Sequence, residues 1–232
     1  MKNKIFIDVD KVCEAYNANN LDFIVVGRIE SEDLIIDLFN QYFAGLQDGP
    51  FNSRLLADYP GGRQHLVYEC RDLEQAHAMM RAPTTKGGSH EAMLIDIFRA
   101  MLCDGISFPL FTEVREKLGL CYEITAGHQL YEDLSNFVIY LGTDPSRYEE
   151  AVEAVFRTMY KCKNDANLLK RAQGRIKGLM ALQRESPVRV LDTASSDIGL
   201  ICIARDFEEI ISLINDIEIS KQTTIQIICF QD

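Results

Sequence analysis

The chain lacks most of what would mark a self-sufficient metal, nucleotide or membrane protein. Its four histidines are His65, His77, His90 and His128, and no two are four residues apart. A helical two-histidine metal site is thereby excluded. No two of its seven cysteines are two to four residues apart, so no cysteine-zinc pair is encoded. Gly61-Gly62 and Gly87-Gly88 lack the lysine and helix of a phosphate loop and read as turns. No apolar run reaches the roughly eighteen residues of a membrane span. Lys2 and Lys4 precede only Ile5, Phe6 and Ile7 before Asp8, too short a run for a secretory signal. Basic residues are outnumbered, 24 against 35 acidic for a net charge of −11, which disfavours nucleic acid and anionic membranes as partners. The odd, scattered cysteines among apolar neighbours predict reduced, buried thiols and a cytoplasmic or otherwise reducing location.

What is present is an ordinary globular composition over 232 residues, 47% hydrophobic and 25% charged, without repeat, low-complexity tract or internal linker. One domain over 1–232 is expected. The organising stretch is Gly105 to Tyr122, GISFPLFTEVREKLGLCY. Leu110, Phe111, Val114 and Leu118 recur at helical spacing and predict a core-facing stripe, with Arg115 and Glu116 at its wet margin. Ser107 is placed to cap this helix, Pro109 suits its first turn, and Gly119 suits a left-handed end. Tyr122 then opens a strand, so a tight turn would bring the Arg115 guanidinium and the Tyr122 phenol to one sheet edge. On spacing alone, the ordinary reading is an Arg115 ion-paired to an acidic neighbour such as Glu113, with Tyr122 half-buried.

Around this stretch the elements can be read in order. Asp8 to Asn17 predicts a short helix and Leu21 to Arg28 a strand. Ser31 caps a helix with the stripe Leu34, Ile35, Leu38, Phe39, Tyr42 and Phe43, ended by Gly45. Residues 47–62 are loop, and His65 to Cys70 a short strand. Glu74 to Ala82 favours helix by propensity. Ser89 caps a helix ended by Gly105, and residues 121–129 and 136–142 form a hairpin. Asp144-Pro145 starts a helix to Lys161. Further helices follow over 166–184 and 188–204 and after Asp206, and the tail from Ser220 suits strand or helix equally.

The run LFTEVREKLGLCY resembles the signature LF-x-E-[VL]-R-E-K-x-G-L-x-Y of the pitrilysin, insulinase and mitochondrial-processing-peptidase family, in its C-terminal, non-zinc domain. The opening NNLDFIVVGRI, with the acidic-capped helix ending in YFAGL, matches the start of that domain, with Arg28 where an acidic residue is common. Glu74, Gln75, Ala76, His77, Ala82 and Pro83 match its EQAH…AP strand with a spacer one residue shorter, which favours strand over helix there. His77 reads as a structural histidine. The family's Ser-Arg pair before the central helix is replaced by Ile106 to Phe111.

The resemblance implies an α+β fold with an antiparallel-dominated sheet and helices packed on one face. It implies a non-catalytic, substrate-binding half of a zinc metallopeptidase, with no catalytic or metal residue in this chain and zinc expected on a partner domain or subunit. Arg115 and Tyr122 would be the substrate-binding pair, bonding a peptide backbone near the scissile bond, for which guanidinium donors and a phenolic hydroxyl are suited. Partners would be that zinc-bearing half and a peptide, in a homo- or heterodimer or one longer chain. The alternative is an inactive scaffold like the core subunits of respiratory complexes.

Overall fold

The computed structural model describes residues 16–50, 73–202 and 204–218. Its centre is a three-stranded antiparallel sheet in the order β1-β3-β2, with β1 spanning Ala76–Pro83, β2 Glu123–Gln129 and β3 Asn136–Thr143. Every residue of β3 but Tyr140 is buried. β1 is rich in helix formers, yet its eight residues pair in register with β3, from Ala76 opposite Thr143 to Pro83 opposite Asn136. Ladder bonding and one-sided burial override a weak local preference.

Side chains alternate across the sheet, so directly paired residues share a face. One face carries Ala78, Leu141 and Ile124, then Met80, Ile139 and Ala126, all within or against the hydrophobic core. The other carries the rows His77, Gly142, Glu123 and Met79, Tyr140, Thr125. On that outer face His77, Met79, Glu123 and Thr125 are exposed.

Helices build the covered side. α2, His90–Cys103, is capped by Ser89 Oγ, which accepts from the Ala92 N–H at 3.0 Å, and buries Ile97, Phe98, Met101 and Leu102. A π-helix, Leu110–Lys117, buries Leu110 and Val114. α3, Tyr148–Cys162, follows a single 3-10 turn started by Asp144, and buries Val155 and Met159. α4, Ala166–Arg184, is capped by Asp165 and buries Leu168, Leu169 and Ala172. Fully burying each large apolar side chain stabilises by about 1.5–3 kcal/mol. α5, Pro187–Ile201, and α6, Phe207–Asp216, complete the described chain, and the buried Asp197 of α5 receives Arg205 Nη2 at 2.6 Å.

Several expectations are revised. Leu21 to Arg28 forms no strand, and α1, Glu32–Phe43, is capped by Ser31 as predicted but buries nothing: Leu34, Leu38, Tyr42 and Phe43 are exposed. Its stripe instead gathers Phe39 and Phe43 against Phe23, at ring separations of 5.1 and 5.8 Å. Leu118 lies past the last turn of the π-helix and is exposed, not core. Ser107 caps nothing; its carbonyl and hydroxyl accept from Arg171 at 3.0 and 3.2 Å. Cys202 is an exposed thiol with φ of 59° at the end of α5, whereas Cys121 and Cys162 are buried. The helix read over 8–17, apart from Tyr16 and Asn17, the strand over 65–70 and the tail from Ser220 lie outside the described residues.

Candidate functional site

Two fully buried side chains, Leu110 and Val114, press the π-helix against β2 and α3, which leaves Arg115 facing outward. The helix closes with the Leu118 N–H bonded to the Glu113 carbonyl at 3.1 Å, and the chain reverses at Gly119 with φ of 57°. A side chain there would be strained, so glycine suits the position. The Leu120 N–H then returns to the Val114 carbonyl at 3.0 Å. That bond sets the turn through which Arg115 and Tyr122 are related.

Glu113, the partner that would make Arg115 structural, is taken: Lys117 Nζ lies 2.5 Å from its Oε1. Arg115 is exposed and lies over the Phe111 ring at 4.7 Å from the centroid. A cation over an aromatic face keeps its N–H donors free at the edge. Phe111 also lines a hollow of about 440 Å³ shared with Ile106, Thr125, Asp104 and Arg175. Asp104 sits there between Arg99 and Arg175, at 3.5 and 3.4 Å.

Tyr122 is 57% exposed. Its N–H donates to the Gly142 carbonyl at 2.8 Å, while Glu123 is also registered opposite Gly142. The N–H of Tyr122, one residue before β2, thus shares Gly142 with Glu123 where the ladder begins. No hydrogen bond or ion pair joins Arg115 to Tyr122. Cys121 lies between them in the turn: burial pushes its thiol pKa up, and the Arg115 charge opposes that shift.

Two further constellations were not legible in the sequence. On the outer face, His77 Nδ1 and the Tyr140 hydroxyl are 2.9 Å apart with their rings nearly parallel. His77 is thus satisfied, as expected of a structural histidine, but exposed. On the covered face, His128, whose side chain is wholly buried, bonds Asp96 through Nδ1 and Thr84 through Nε2, both at 3.1 Å, tying β2 to α2 and the end of β1. Strand alternation would have placed the two histidines on opposite faces, but only register reveals their partners. Among the described residues no three His, Cys, Asp or Glu side chains converge to hold a metal ion. With no two histidines four apart in the sequence, the side chains present do not fit a catalytic zinc.

Residues 13–175 match the peptidase M16 inactive domain. The chain belongs to that family. An inactive domain accounts for the absent histidine pair. An uncharacterised zinc protease of Rickettsia felis is 28% identical over 174 residues, which cover 73% of this chain and 41% of that protein. Among solved structures, a protease from Helicobacter pylori superposes with a TM-score of 0.74 at 15% identity, over 83% of this chain and 48% of that one. A chain of complex III2 from Candida albicans does so with a TM-score of 0.62 at 13% identity, over 81% and 47%. The inactive domain spans less than half the length of each of these proteins.

Proposed function

We propose that this inactive domain is the substrate-binding half of a zinc peptidase, completing a cleft whose metal and general base lie on a partner domain or subunit. Arg115 and Tyr122 hold the peptide main chain there. The observation that carries this reading is the pairing of Glu113 with Lys117, with the Arg115 guanidinium exposed and in no ion pair with an acidic side chain among the described residues. The metal, when bound on the other half, supplies Lewis-acid activation of water. This chain contributes donors: the Tyr122 hydroxyl and the guanidinium can bond a peptide carbonyl and the oxygen charge that develops on it. The reading also places the protein in a reducing compartment, in keeping with free thiols at Cys103, Cys121, Cys162 and Cys202.

The test is peptide turnover by the assembly of this chain with its zinc-bearing half. Tyr122→Phe removes one hydroxyl from an exposed ring and should lower turnover about a hundredfold to a thousandfold, the loss of about 2.7–4 kcal/mol typical of such a donor. Arg115→Lys keeps the charge but loses the planar fork, and should also lower turnover. Melting temperatures of both should stay at the wild-type value. Full turnover in both variants favours a second reading, an inactive scaffold, which the fold likeness to the complex III2 chain also supports.

A further inference from the structure

Gly142 lies in the middle strand of the sheet, where glycine weakens a strand and often marks the close approach of a ligand or another backbone. It is not among the residues of positive φ, so conformation does not demand it. A Cβ at Gly142 would meet Gln75 Oε1 at 3.6 Å and both His77 Nδ1 and the Tyr140 hydroxyl at 3.7 Å. Three polar atoms thus converge over the buried Gly142 backbone on the outer face of the sheet. Gln75 and His77 are exposed and Tyr140 half-buried. The opposite edge of the same residue receives the Tyr122 N–H at 2.8 Å and is registered with Glu123. The EQAH strand and the Tyr122 turn, far apart in the chain, therefore meet at one glycine.

We infer that Gln75, His77 and Tyr140, grouped over Gly142, form a second hydrogen-bonding station for an extended peptide main chain, adjoining Tyr122. This rests on the peptide-binding reading above and extends it across the outer face. The chemistry matches an amide backbone: Gln75 offers a carbonyl and an amide donor, and beyond their mutual bond the Tyr140 hydroxyl and His77 Nε2 each keep hydrogen-bonding capacity. A main chain presents the same mixture of N–H and C=O groups. The mutual bond between His77 and Tyr140 fixes both rings before the peptide arrives, which lowers the ordering cost of binding. Without a Gly142 side chain the three groups close directly over its backbone, so a methyl there would touch all of them.

The experiment measures binding of an N-acetylated, C-amidated pool of unfolded ten-residue peptides to the chain, following the ring resonances of His77 and Tyr140. A methyl at Gly142 makes only ordinary contacts, so Gly142→Ala should keep the wild-type melt. Gly142→Ala and His77→Ala should each weaken binding about threefold to tenfold, the effect of one hydrogen bond. His77→Gln, which retains a donor and an acceptor, should recover part of the loss. If Gly142→Ala lowers the melt, Tyr140→Phe, which keeps the ring, decides the question by the same criterion. Wild-type affinity in these variants alongside weakened binding in Tyr122→Phe would overturn this inference and leave the earlier reading standing. Weakened binding here with an unaffected Tyr122→Phe would support the station and remove Tyr122 from the peptide's path. Absence of peptide binding to the wild-type chain would overturn both.

Discussion

At the scale of single residues, burial separates thiols that composition cannot tell apart. Burial, with Asp165 and Glu113 adding negative potential, pushes the Cys162 thiol up to about 11. Below that value the group is protonated, and the thiolate is the reactive form. Cys202 is exposed. Alkylation mapped by mass spectrometry should therefore label Cys202 before Cys162 at neutral pH, with Cys162 resisting until the pH approaches 11 or the chain unfolds. Equal labelling at neutral pH would contradict the burial of Cys162. Asp197 makes a second residue-level case. It is 4% exposed and takes both Nε and Nη2 of Arg205, at 3.3 and 2.6 Å, as well as the Arg205 N–H. Breaking a buried pair from one side strands the other charge, so Asp197→Leu should cost about 3–5 kcal/mol in urea unfolding. A cost under about 1 kcal/mol would mean that water already reaches the pair.

At the scale of elements, sequence reading succeeded where caps and stripes are local. Ser31 and Ser89 each accept the backbone bond their position predicted, and Asp165 and Asp206 cap their helices in the same way. It faltered where distant partners decide. The helix formers of β1 become a strand because β3 supplies the ladder, and only the family motif pointed that way. Leu110 and Val114 fit an α-helix and a π-helix alike, so spacing could not distinguish them. Arg115 and Tyr122 were legible from their motif, but the convergence on Gly142 depends on pairing between segments far apart in the chain. One junction between elements can be tested directly. Gly88 has φ of 75°, and a Cβ there would clash with Ile201 Cγ2 at the end of α5. Gly88→Ala should cost about 1–2 kcal/mol of left-handed strain and about 1–3 kcal/mol of overpacking. Adding Ile201→Ala should return part of the packing component, measurable as a non-additive double-mutant cycle. Additive losses would show that α5 does not rest on this turn.

At the scale of the whole molecule, the sheet is held through one shared strand whose two neighbours are reached by very different lengths of chain. β2 joins β3 through the short turn after Gln129, whereas β1 must wait for α2 and the π-helix to be traversed before Ala76 can meet Thr143. Loop closure grows costlier with the length enclosed, and contacts distant in sequence form late. The hairpin is thus the natural nucleus, and the strand bearing His77 arrives afterwards. Ile124→Val should consequently slow refolding, with a high φ-value, while Met80→Ala should chiefly speed unfolding, with a φ-value near zero. The reverse order in stopped-flow chevrons would reject this sequence of events. If it holds, the two candidate peptide-binding groups differ in kinetic standing: the bond that ties Tyr122 to Gly142 is built early with the hairpin, and the His77 station exists only in the finished sheet. A ligand that engages both would brake the detachment of β1, lengthening the lifetime of the native state more than it hastens its formation.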